Sequence, residues 1–135
     1  MTLLALFAAA ALFGGMLLYS FGFAPLAFST LPADEAGRLL RAAFPRYYLF
    51  VIATALVAGL ALLAVDSLSA WLMLVTLVLG VAARQLLMPA INRASDARAA
   101  GDASAGARFK RLHGISVALN FLQLAAVGTV LARFV

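Results

Sequence analysis

The chain has 135 residues, of which 66% are hydrophobic and only 11% charged, with a net charge of +5 and a mean hydropathy of +1.08. A soluble domain carries about 25% charged residues, so this composition excludes an ordinary water-soluble fold and points to one compact all-α bundle in a lipid bilayer. Cysteine is absent, which excludes disulfides, thiolate metal sites and thiol redox chemistry. The basic residues flank apolar stretches and read as topology determinants, with no nucleic-acid surface.

Four transmembrane helices and one interfacial helix are expected in a single domain, residues 1–135. The first span covers residues 3–28. It lacks a basic n-region and exceeds the apolar core of a signal peptide, so it reads as a retained helix. Ala11, Gly15, Tyr19 and Gly22 share a face suited to close helix approach, and Pro25 can bend the last turn. Pro32 in the first turn, followed by Asp34 and Glu35, marks a helix start. Over residues 32–43 the charged Asp34, Glu35, Arg38 and Arg41 separate at helical period from Ala36, Leu39, Leu40 and Ala43. That pattern predicts a short helix lying in the membrane interface and ended by Pro45.

The second span, residues 47–65, opens on Tyr47 and Tyr48 at the position of an aromatic belt. The turn Asp66-Ser67-Leu68-Ser69 is short enough to force an antiparallel pair. The third span covers residues 68–88, with Trp71 at one interface and Arg84 and Gln85 in its final turns. Arg84 can snorkel to the headgroups or turn inward to a polar partner. Helix can continue past Pro89 until Gly101 breaks it, and Asp102 is a candidate N-cap for the last helix.

The fourth span, residues 109–133, carries the main chemical signal. His113, Ser116, Asn120 and Gln123 project within roughly an 80° arc of one helix face. Unpaired polar groups in lipid are costly, so such a stripe faces the bundle or a cavity. Two readings stand: hydrogen-bonding glue between helices, or a pocket built on His113, Arg84, Asn120, Ser116, Tyr47 and Gln123 that takes a small polar or anionic solute. In the pocket reading His113 turns inward, toward Arg84 or the Tyr47–Tyr48 pair. In the glue reading the chain is a structural or assembly subunit, in a homo-oligomer or a larger membrane complex. Carboxylate pairs, phosphate loops and activated nucleophiles are all missing from the spans, so no enzyme is expected. A haem or copper site would have to rest on His113 with Met88, far short of a ligand set, and no cofactor is expected.

Of the ten basic residues, nine (Arg38, Arg41, Arg46, Arg84, Arg93, Arg98, Arg108, Lys110 and Arg111) fall on one side of the four spans, and Arg133 on the other. The positive-inside rule then puts both termini and the Asp66 turn outside an inner (plasma) membrane.

Several short stretches resemble a known family. They are Leu31-Pro32, Gly37, Phe44-Pro45-Arg46-Tyr47, then Arg84 and Pro89, and above all Phe109-Lys110-Arg111-Leu112-His113-Gly114 with Ser116 and Asn120 behind it. On these the chain resembles the transmembrane-protein-205-like family, small four-helix membrane proteins first catalogued as a domain of unknown function. The fold is also similar to the membrane parts of copper-resistance D-type proteins and of a small haem-binding protoporphyrinogen oxidase. Those carry additional helical His or Lys residues, whereas this chain has one His. Because the chain has no Cys, single cysteines at Ser67 and Ser104 should react with an impermeant thiol reagent from opposite faces, Ser67 from outside; reaction of both from one face contradicts the four-span topology.

Overall fold

A computed structural model describes residues 2–135 as four long helices: α1 (Thr2–Thr30), α2 (Ala33–Leu62), α3 (Ser67–Ala99) and α4 (Ala105–Ala132). All four are long and apolar enough to cross a membrane, as the composition requires. Consecutive helices are joined by short turns and run antiparallel, as short connections dictate. The core is built from Leu12 and Met16 of α1, Val51, Ala58 and Leu62 of α2, Met73 of α3, and Val127 and Val130 of α4. The outer faces stay apolar, with Phe7, Leu60, Trp71 and Leu86 among the large exposed side chains. A helix pair in water would hide such residues; here lipid is the solvent they face.

The expected interfacial helix at 32–43 is helical but not separate. α2 runs unbroken from Ala33 to Leu62 with Pro45 inside it, so Pro45 does not end one helix and start another. Thirty residues span about 45 Å against a hydrocarbon core of about 30 Å, so the first turns of α2 extend beyond the core. They are held by packing: Ala36 and Leu40 are buried against Ala27 of α1, with Phe23 and Leu31 beside them. Pro32 is the N-cap residue of α2, just outside the first turn, and Asp34 and Glu35 occupy that turn as expected.

Proline is absorbed differently in α1 and α3. Residues Leu18–Phe23 and Ala83–Leu87 widen into π-helix, each ending just before a proline at the second position of the next α-helical stretch. A proline ring clashes with the carbonyl four residues back and donates no hydrogen bond. Here those carbonyls belong to Phe21 and Gln85, both within the widened turns. The Ala24 and Met88 amides reach five residues back instead, to Tyr19 and Ala83. Wide turns of this kind recur at functional sites.

α3 continues past Pro89 to Ala99, and the chain then turns at Gly101, whose φ of 93° suits glycine. The expected N-cap shifts by two residues: Ser104 precedes α4, while the Asp102 carboxylate accepts hydrogen bonds from the Ser104 amide and hydroxyl. Exposed ion pairs clamp both ends of the bundle. At the basic end Arg41 of α2 forks onto Asp96 of α3 at 2.6 and 2.9 Å. At the other end Arg133, just beyond α4, forks onto Asp66 in the α2–α3 turn at 2.6 and 3.0 Å, and the Ser69 hydroxyl donates to the same carboxylate.

These donors hold the Asp66 carboxyl well below the usual carboxylate range, Arg133 contributing most. A depressed carboxyl stabilises the fold above its unfolded value, near pH 4, and loses that contribution as pH falls toward its folded value. The stability difference between wild type and Arg133→Gln should therefore be constant from neutral pH to about 5 and shrink on further acidification. A pH-independent difference, read from thermal unfolding in detergent, would show that the fork is not what Arg133 contributes.

Candidate functional site

Rotation alone does not place the polar residues of α4. Ala105, Gln123, Leu124, Val127 and Val130 are buried, and the directions of Gln123 and Leu124 bracket the whole stripe, His113 included. Within the stripe, burial falls toward the basic end. Gln123 is buried, Asn120 and Ser116 are half-buried, and His113 is exposed.

His113 therefore corrects the expectation of an inward-facing imidazole. Its ring stacks on Phe109 of its own helix, centroids 6.0 Å apart and nearly parallel, and the Arg98 guanidinium of α3 lies 4.5 Å from the centroid of the same Phe109 ring. No hydrogen bond joins His113 to Arg84, Tyr47 or Tyr48 among the described residues. Ser116 spends its hydroxyl on the His113 backbone carbonyl at 2.8 Å. Met88 packs against the core, while its suggested partner His113 is exposed. Among the described residues no three His, Cys, Asp or Glu side chains come together as a metal-binding group.

Two of the expected residues do meet. The Tyr47 hydroxyl donates to Asn120 Oδ1 at 2.7 Å, and Asn120 Nδ2 donates to the Ser20 hydroxyl at 2.9 Å. One carboxamide thus ties α4 to both α1 and α2. Ser20 lies in the widened turn of α1. A turn deeper, Gln123 Nε2 donates to the Thr76 carbonyl of α3 at 2.9 Å. Gly80 makes room there: a methyl group in its place would stand 3.2 Å from Ile52 and 3.7 Å from the Gln123 amide. Arg84 is half-buried and turned to α2, its Nε 3.5 Å from the Pro45 carbonyl.

Around the Asn120 knot stands a wall of aromatic rings. Tyr19 stacks on Tyr47 with centroids 4.1 Å apart, and it also touches Phe23 and Phe44. Phe44 in turn lies against Tyr48. The Tyr19 hydroxyl is buried without a hydrogen-bond partner among the described residues, which is costly in a protein interior. Two cavities lie elsewhere. One of about 280 Å³ runs along α2 and α3, and one of about 460 Å³ surrounds Asp66 and Arg133.

Sequence reasoning marked Tyr47, Asn120 and Gln123 but missed Ser20 and Thr76. Ser20 carried a usable signal: it is a polar residue inside an apolar span, at a depth similar to Asn120. Thr76 carried none, because its backbone carbonyl is the acceptor.

A family described as a domain of unknown function, DUF4149, matches residues 7–100, and the chain belongs to that family. The match bears out a small domain of unknown function. It does not extend to the transmembrane-protein-205-like affiliation, whose strongest motif, Phe109 to Gly114, lies beyond the matched residues. No curated protein and no solved structure matches the chain.

The Tyr47–Asn120 bond should show coupling in a double-mutant cycle. Asn120→Leu alone leaves the buried Tyr47 hydroxyl unpaired and should cost about 1–3 kcal/mol. Adding Tyr47→Phe should recover part of that, with a coupling of about 0.6–1.7 kcal/mol. Strictly additive losses in reversible unfolding from detergent would mean the bond contributes nothing.

Proposed function

We propose that this member of the DUF4149 family is a non-catalytic subunit of a membrane assembly, acting through its lipid-facing surface on other membrane proteins. The observation that supports this most is the Ser20–Asn120–Tyr47 chain. The polar groups best placed to receive a solute are spent on one another and on the helices they join. The exposed large side chains of α2 and α3, such as Leu60 and Trp71, then form the surface available to partners. In this reading the basic end faces the cytoplasm and the Asp66 turn the outside, as the nine-to-one distribution of basic residues favours.

A second reading keeps a solute site, and the buried, unpaired Tyr19 hydroxyl favours it. A small polar ligand that enters the aromatic wall between α1 and α2 would satisfy that group.

One pair of measurements separates the two. A photo-crosslinking residue at Trp71, in cells expressing the chain at native level, should give one discrete adduct with another membrane protein or a second copy. Tyr19→Phe should leave that adduct and the stability unchanged, or raise stability slightly, because it removes an unpaired hydroxyl. A chain that stays free of protein adducts, and loses saturable solute binding on Tyr19→Phe, overturns the assembly reading in favour of the solute site.

A further inference from the structure

Between α2 and α3, in the half of the membrane next to the Asp66 turn, lies the apolar cavity of about 280 Å³. It is a slot open to lipid. Leu56 and Leu60 of α2 and Trp71 and Leu74 of α3 stand exposed along its rim, whereas Ala55 and Ala70 are buried at its floor. Small floor residues between large rim residues leave a furrow that the chain's own side chains do not fill. Among the described residues no charged side chain lines it.

The two ends of the slot differ, and the difference selects an occupant. On α3 its walls run from Ser67 to Leu77, about 15 Å along the axis, which is the depth of one leaflet of a hydrocarbon core about 30 Å thick. Past Leu77 the helices close up: a methyl group on Gly80 would stand 3.2 Å from Ile52 and 3.5 Å from Val51. A transmembrane helix of a partner needs a path through both leaflets, and this slot stops at the middle of the bilayer. An acyl chain needs one leaflet only. The outer end is polar. Ser67 opens α3, Trp71 follows one turn later on the same face, and both are exposed. Neither the Ser67 hydroxyl nor the Trp71 indole N–H has a hydrogen-bond partner among the described residues, and an indole at this level sits among lipid headgroups.

We propose that this slot holds one acyl chain of a glycerophospholipid from the leaflet at the Asp66 end, with Ser67 and Trp71 donating hydrogen bonds to the lipid's ester carbonyls. The donors lie where a glycerol ester lies, and the apolar walls continue from them for the length of one chain to a closed end. Because the walls carry no charge, the site reads chain length and the ester group and ignores headgroup charge. It goes beyond the assembly role and does not depend on it: the chain lies on the floor of the slot, whereas a partner protein would meet the rim.

The probe is dipalmitoyl phosphatidylcholine, titrated into the purified full chain in mild detergent and read by native mass spectrometry, with no partner protein present. Wild type should hold one such lipid, and hold dipalmitoyl phosphatidylglycerol equally well. Leu77→Trp fills the inner end of the slot and should weaken the dipalmitoyl lipid about tenfold or more, since it displaces several methylenes, while sparing a dihexanoyl lipid that does not reach so far. Should that variant fail to fold, Leu56→Trp makes the same test from the exposed rim of α2. Ser67→Ala with Trp71→Phe should weaken the diester lipid about fivefold and leave its diether analogue unchanged. No retained lipid in wild type, or retention that neither tryptophan variant alters, overturns the site. Retention that requires the anionic headgroup assigns the lipid to the basic end and overturns the slot as its place. A diether lipid held by wild type as tightly as the diester overturns the ester contacts of Ser67 and Trp71.

Discussion

In hydrocarbon a carboxamide must find its hydrogen-bond partners inside the protein, and the bundle is arranged around the way Asn120 does so. Its oxygen accepts from Tyr47 of α2 and its nitrogen donates to Ser20 of α1, so a single α4 side chain fixes the positions of two other helices. Gln123, one turn deeper, fixes the third through the Thr76 carbonyl. Helix association in lipid has no hydrophobic drive of its own. These few contacts therefore choose the rotation of α4, and the aliphatic packing of Met16, Val51, Met73 and Val127 follows.

At the basic end His113 is exposed and lies against Phe109, with Arg98 over the same ring. The interior around Asn120 is filled by tyrosine and phenylalanine rings. The widened turns ahead of Pro25 and Pro89 lie in this region too. Ser20 reaches Asn120 from the first, and Arg84 reaches α2 from the second. In both helices the residue that crosses to a neighbour sits where the backbone has been opened to accommodate a proline. Outside the membrane the forks of Arg41 on Asp96 and Arg133 on Asp66 are exposed. Pairs of that kind add little stability and serve better as fixed spacers between helix ends.

The functional picture is of a closed centre with chemistry at its margins. The central polar groups bind one another. What remains exposed is the lipid-facing surface and the basic end.

Much of the fold was legible in the residues themselves, because the bilayer imposes a simple rule: an apolar run long enough to cross it becomes a helix. Span order, the tight Asp66 turn, the break at Gly101 and the grouping of basic residues all follow from that rule and from local turn chemistry. The pairing of Tyr47 with Asn120 was within reach, since both are polar groups at similar depth that require partners. Three features waited for the tertiary structure. Pro45 leaves α2 intact because Ala36 and Leu40 are held against α1, a long-range contact that outweighs a local breaking signal. His113 is exposed although its direction lies between those of buried Gln123 and Leu124, and only the neighbours of α4 decide how far along the helix that face stays covered. Thr76 enters through its backbone, and an acceptor that every residue carries leaves no mark in a sequence.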